Sequence, residues 1–129
     1  MKLEFVEFYA GDIRKNSPKP AESFNTNITL ADASAEKNSL TLHFEYTVNY
    51  SPGNSGIHLT GKAVFAGKEA KKAYNEWEKK QTIGGKIGEY IVNALYYHSA
   101  LNAIPLSSMF GLVPPIVLPE VKFSQKKKG

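Results

Sequence analysis

From Leu40 to Tyr50 the apolar residues Leu40, Leu42, Phe44, Tyr46, Val48 and Tyr50 alternate without a break with Thr41, His43, Glu45, Thr47 and Asn49. A helix would spread these six side chains around its circumference. A strand puts all six on one face. The pattern therefore demands a sheet buried on one side and polar on the other, as antiparallel sheets commonly are. Ser51-Pro52-Gly53-Asn54-Ser55-Gly56 reads as a turn. A fourth strand then carries Ile57, Leu59, Ala63 and Phe65 on one face, with His58, Thr60 and Lys62 on the other. Pairing Tyr50 with Ile57 sets Glu45 opposite Lys62 and Phe44 opposite Ala63, a register consistent in charge and in hydrophobicity.

The flanking segments fit the same sheet. Leu3 to Ile13 reads as a first strand, rich in Phe5, Val6, Phe8 and Tyr9. Its alternation changes phase near Phe5-Val6, which predicts a bulge or burial on both sides. A weaker second strand is expected over about Asn27 to Ala33, with Ile28 and Leu30 on one face and a turn over Asp32 to Asn38. Lys68 to Lys80 predicts a short helix, with Ala70, Ala73, Tyr74 and Trp77 on one stripe. A longer helix is expected over Lys86 to Ala103, with Ile87, Ile91, Ala94, Leu95, His98 and Leu101 at helical spacing and Pro105 as its stop. Four strands followed by helices predict an α+β fold, a four-stranded antiparallel sheet with helices packed on one face.

Length and composition bound the rest. At 129 residues the chain is expected to form one domain able to bury its own core. It contains no cysteine, so disulfides, thiol catalysis and thiolate metal sites are all excluded. The N-terminus has acids inside its apolar run, unlike a signal peptide, and a cytoplasmic location is expected. The net charge of +4 suggests nucleic acid, but Lys126, Lys127 and Lys128 supply three of the four. Arg14 is the lone arginine, and arginine is the usual reader of base edges. Nucleic acid is therefore not expected as a partner.

Between Tyr90 and Pro119 there is no Asp, Glu, Lys or Arg. A membrane span is not expected there, because Asn93, His98, Asn102, Ser107, Ser108 and several prolines interrupt the apolar run. A helix without a charged face is normally covered on both sides. A second copy of the chain is the simplest cover. Self-association is expected through Val92, Tyr96, Ser99 and Ala100, with the shorter helix and the C-terminal segment as the other possible cover. The stretch from Leu106 to Phe123 is too apolar for a solvent loop and is expected to lie as an extended strap, walling a groove with Phe110, Leu112, Ile116 and Leu118.

Catalytic chemistry finds little footing. His43 and His58 share the polar sheet face but are too far apart in the expected register to share a metal. His98 lies on the uncharged helix, where an interior or interfacial hydrogen bond is its expected role. Neither a catalytic carboxylate pair nor a nucleophile elbow is fixed by the spacing. Gly84-Gly85-Lys86-Ile87-Gly88 follows a helix rather than a strand and lacks the full phosphate-loop pattern. No enzyme activity, cofactor or metal is expected.

Several of these segments, in their order, resemble the SecB export chaperone family. Val6-Glu7-Phe8-Tyr9-Ala10-Gly11-Asp12-Ile13 is similar to that family's first strand, and Phe44 to Phe65 to its central hairpin. The long helix, then Pro105-Leu106 to Phe110, then Val113-Pro114-Pro115-Ile116-Val117-Leu118-Pro119-Glu120-Val121-Lys122-Phe123, resembles its C-terminal part. The resemblance spans about Leu3 to Phe123. It implies a four-stranded antiparallel sheet, a tetramer built as a dimer of dimers, and an apolar groove for unfolded polypeptide, and the chain is expected to be a single domain over 1–123 with a basic tail over 124–129, forming a homo-oligomer (dimer or tetramer). Carried over by position, the groove residues are Phe24, Tyr46, Met109, Phe110, Leu112, Val113 and Ile116. The chain departs from the family in three respects. Only six residues follow Phe123 where a second long helix belongs, a charged helix occupies Lys68–Lys80, and the chain is not acidic. The last departure weakens docking on a translocation motor and leaves open a role with an antitoxin. The implied activity is ATP-independent holding of unfolded or unstable client protein. A module for one dedicated partner and a small-molecule or lipid carrier remain alternatives.

Overall fold

The computed structural model describes residues 1–16 and 22–115. Four strands, β1 (Lys2–Arg14), β2 (Ser23–Glu36), β3 (Ser39–Ser51) and β4 (Gly56–Ala66), precede two helices, α1 (Ala70–Lys80) and α2 (Gly85–Met109). The strands form one antiparallel sheet in the order β1-β4-β3-β2. β1 and β2 are thus the edges. Both helices lie on the face formed by Leu40, Leu42, Phe44, Tyr46, Val48, Tyr50, Ile57, Leu59, Ala63 and Phe65, all of them buried.

The β3–β4 register differs from the expected one by two residues. Val48 faces Ile57, Phe44 faces Gly61, and Glu45 faces Thr60. The turn takes six residues, closed by the Tyr50 N–H donating to the Ser55 carbonyl at 2.9 Å. A two-residue slip keeps every side chain on its own face, so hydrophobic patterning cannot detect it. Gly61 has a packing reason to lack a side chain. A Cβ there would come within 2.8 Å of the Phe44 ring. His43 faces Lys62 instead of Val64, and His58 faces Thr47 instead of Asn49. Glu45 ends 3.5 Å from His58 Nε2 on the exposed face.

β1 contains two irregularities, between Leu3 and Phe5 and between Phe8 and Ala10. Each extra residue resets the alternation. Leu3, Val6, Phe8 and Ile13 consequently pack inward, while Phe5 and Tyr9 stand on the outer face. There the Tyr9 hydroxyl and His43 Nδ1 share a hydrogen bond of 3.2 Å. β2 runs longer than expected. Its hairpin with β3 pairs through Glu36 and Ser39, so the turn narrows to Lys37-Asn38, with Lys37 at a φ of 56°. The weak alternation of Ala31 to Ala35 is explained by a register shift between Leu30 and Asp32.

Pro105 does not end the long helix. α2 continues through it to Met109, with Pro105 on the exposed side. The stop comes at Gly111, whose φ is 69°. The Leu112 N–H donates to the Ser107 carbonyl at 2.8 Å, and the Gly111 N–H to the Ser108 carbonyl at 3.2 Å. That pair of bonds is a Schellman closure, built around a left-handed residue that glycine adopts at little cost. The segment expected to be extended from Leu106 is therefore helical as far as Met109.

The inward stripe of α2 also differs from the expected one. Gly88, Ile91, Leu95, Ser99, Ala103 and Ser107 are buried, whereas Tyr97 and Leu101 are about half exposed. The buried residues at 99, 103 and 107 are small, and Ala103 packs in one cluster with the large side chains of Tyr46 and Tyr50. Filling by large against small is what close packing requires. At Gly88 a Cβ would collide with the Ile83 carbonyl, so the start of α2 is held tightly against the preceding turn.

Candidate functional site

An apolar hollow opens between the β1 edge of the sheet and the C-terminal end of α2. Its walls are Phe8, Ala10, Gly11, Asp12 and Ile13 of β1, Leu59 of β4, and Leu106 and Phe110 at the end of α2. Its volume is about 440 Å³, which lies within the usual range of ligand pockets. Strand β1 is a sheet edge, so the hollow runs beside backbone groups not used by β4. Asp12 is the one charged residue in the lining.

Beneath the hollow lies a distinct core cluster. Tyr46, Val48, Tyr50, Ile57, Leu59, Ala103 and Leu112 are its buried members, with Phe8, Ile13, Phe24, Tyr96 and Leu106 packed against it. The chain leaving α2 is tied to this cluster at two points. Leu112 is buried in it, and the Tyr50 hydroxyl donates to the Val113 carbonyl at 2.6 Å. Burial pushes the Tyr50 phenol up to about 12, and burial beside the hydroxyls of Tyr50 and Tyr96 pushes that of Tyr46 up as well. Both phenols are therefore neutral hydrogen-bonding groups at ordinary pH.

The expected groove residues do not all reach the hollow. Phe110 lines the hollow. Met109 and Val113 are exposed but are not among its lining residues. Tyr46 and Leu112 are core residues with almost no surface to offer, which corrects their expected place on a groove wall. Phe24 is half-buried against Tyr50, at a ring separation of 6.1 Å, and does not reach the hollow. Ile116 lies outside the described residues. Phe8, Ile13 and Leu59 line the site without having been expected there, and Leu106, expected as the start of an extended strap, lines it from within α2. For Leu106 a signal existed, because it continues the helical stripe of Ser99 and Ala103. Phe8, Ile13 and Leu59 read only as core.

The expected interface residues fare similarly. Ser99 is fully buried against this chain's own sheet. Tyr96 is turned the same way. Its ring packs edge-on to Tyr46 at 6.2 Å, and its hydroxyl donates to the Thr26 carbonyl at 3.3 Å. Val92 and Ala100 are half-buried. The outward face of α2 is instead headed by Tyr90, Tyr97 and Leu101, and from Tyr90 onward it carries no charged residue. The Tyr90 hydroxyl also accepts a hydrogen bond of 3.1 Å from the Leu3 N–H, joining this face to the edge of β1.

A second, polar hollow of about 340 Å³ lies at the β3–β4 hairpin, lined in part by Asp12, Arg14, Asn49, Asn54 and His58. Among the described residues no group of three or more His, Asp or Glu side chains is placed to hold a metal ion. Among those residues no helix is long and apolar enough to cross a membrane.

Comparison with known proteins gives one kind of likeness. No protein-family model matches the chain, and no curated protein matches it in sequence. Among solved structures the chain is similar to a SecB-like chaperone of Mycobacterium tuberculosis, solved in complex with a ChAD peptide from the HigA1 antitoxin. The TM-score is 0.62 at 10% identity, over 92% of this chain and 86% of that one. At that identity the likeness is one of fold. The α+β architecture, four antiparallel strands with two helices, is a SecB-like fold.

Proposed function

We propose that the chain is an ATP-independent, non-enzymatic chaperone of the cytoplasm that holds apolar segments of unfolded or unstable protein. The observation that carries this reading is the open apolar hollow between the edge of β1 and the end of α2, with Phe110 exposed at its wall. An extended polypeptide offers what such a place takes: alternate side chains for the hollow and backbone groups for the free edge. The fold supports the same reading, since the SecB-like neighbour is a chaperone with a peptide bound.

Self-association belongs to the proposal. The face carrying Tyr90, Tyr97 and Leu101 is exposed on the single chain and free of charge from Tyr90 onward. Such a face fits a second copy better than water. The groove residues proposed to act on clients are Phe110, Met109 and Val113, with Phe8, Ile13 and Leu106 added from the hollow and Ile116 retained from the sequence reading.

The test is aggregation of a chemically denatured model protein diluted into buffer without nucleotide. Suppression at a small molar excess of this chain is the expected result, and undiminished aggregation at a several-fold excess would contradict it. The antitoxin peptide on the fold neighbour favours a second reading, a holder of one dedicated client. Stable co-purification with a single protein, together with failure to protect unrelated clients, would select that reading.

A further inference from the structure

We propose that the polar hollow at the β3–β4 hairpin is a second binding site, one that takes a small zwitterion, a free α-amino acid. Two cross-strand rows build it. Arg14 faces Gly56, which faces Asn49, and Asp12 faces His58, which faces Thr47. These residues alternate along their strands with Ile13, Ile57 and Val48, which pack inward. The rows therefore belong to the sheet face that the helices leave open, and the site rests on no part of the chaperone reading.

The middle of the first row is what makes a hollow of it. Arg14 and Asn49 stand two strand spacings apart, about 10 Å, and Gly56 between them has no side chain to fill the gap. A Cβ there would come 3.0 Å from the Val48 carbonyl and 3.9 Å from Asn49 Oδ1. The turn residues Ser51, Asn54 and Ser55 wall one end. Asn16, just beyond β1, pins that turn in place. Its backbone N–H donates to Ser55 Oγ at 2.9 Å, and its Nδ2 donates to the Asn54 carbonyl at 2.8 Å. The enclosed volume of about 340 Å³ suits a small ligand.

The lining asks for a carboxylate and an ammonium together. Arg14 is the chain's lone arginine, and among the described residues neither it nor Asp12 forms an ion pair. A guanidinium takes a carboxylate through two parallel hydrogen bonds. Across the gap Asn49 uses its Nδ2 to donate to Asn25 Oδ1 at 3.5 Å, which leaves its Oδ1 facing the space above Gly56. That oxygen accepts hydrogen bonds and an ammonium group donates them. Asp12 and Arg14 give the hollow one fixed charge of each sign. They stand two positions apart on β1, about 7 Å. A multiply charged anion such as phosphate would meet repulsion from Asp12 as well as attraction to Arg14. A ligand neutral overall but charged at both ends meets only matched groups.

The test is a titration followed in amide NMR spectra of the full-length chain. The probes are glycine, L-serine and L-glutamine, with acetate and methylammonium as half-ligands. At least one amino acid is expected to move the Arg14, Asn49 and Gly56 signals saturably, with a millimolar dissociation constant. Each half-ligand should bind at least tenfold more weakly. Arg14→Gln and Asn49→Ala, both at exposed positions, should weaken the amino acid at least fivefold. Ser34→Ala, exposed on β2 away from the hollow, should leave its affinity unchanged. No saturable shift with any of the three amino acids would overturn the proposal. So would acetate binding as tightly as they do, which is the mark of a simple anion site. The comparison of probes needs no variant, so a misfolded variant does not decide the outcome.

Discussion

Tyr50 ties the polypeptide beyond α2 to the sheet through a single 2.6 Å bond to the Val113 carbonyl. Replacing Tyr50 with Phe leaves that carbonyl without its partner, and the expected loss of stability is about 1–2 kcal/mol in urea denaturation. The same phenol makes stability depend on alkaline pH. Its folded pKa, near 12, exceeds the free value of 10.0, so the neutral form is favoured by folding. That contribution is complete below about pH 10 and is lost as pH rises toward 12. Tyr50→Phe should flatten the stability curve between those values, and an unchanged alkaline slope would contradict the assignment. Ser99 supplies the opposite case. Its hydroxyl is fully buried on α2 and has no hydrogen-bond partner among the described residues. Ser99→Ala removes an unsatisfied group, so a gain of up to about 1 kcal/mol is expected. A marked loss would show that the hydroxyl has a role the packing does not reveal. Gly61 has no room for a side chain beneath the Phe44 ring. Gly61→Val should cost about 2 kcal/mol or more, read as a lower midpoint of thermal unfolding.

At the scale of elements, β3 was legible because its side-chain period admits a single structural answer. Its partner register was less legible. Sliding two residues preserves both faces, and only the closure between Tyr50 and Ser55 decides between the alternatives. The end of α2 was misread through Pro105, since a proline toward the exposed side of a long helix removes one hydrogen bond without stopping the chain. Gly111 was the true signal, because the Schellman closure needs its left-handed backbone. That one difference moves Leu106 from a strap to a helical wall of the hollow and leaves Met109 as the last helical residue. The inward stripe of α2 was obscured for a related reason. Ser99, Ala103 and Ser107 are small, and small residues carry little periodic signal even where the helix packs tightest. The outward face that remains makes its own prediction. Tyr97→Glu with Leu101→Glu places two charges on an exposed apolar surface. These changes should leave thermal stability nearly unaltered and reduce the self-association constant by tenfold or more, measured as mass against concentration by light scattering. An unchanged mass would remove α2 as the interface.

On the scale of the whole molecule, one face of the sheet carries the helices and the core, and the other carries polar rows that include Glu7, Lys62, His43, Glu45 and His58. An apolar hollow opens where β1, β4 and the end of α2 meet. The fold class was readable from order and alternation. The site was only partly readable, because Phe8, Ile13 and Leu59 look in sequence like any other core residues, and only the fold brings them to one hollow with Leu106 and Phe110. The central claim is that this hollow holds client segments. Its most direct test is fluorescence anisotropy of a labelled, permanently unfolded apolar peptide titrated with the full-length chain and with its Phe110→Asp variant, thermal unfolding being measured alongside. The account predicts matching thermal midpoints and at least tenfold weaker binding by the variant, whereas equal affinities would show that the hollow is not where clients are held.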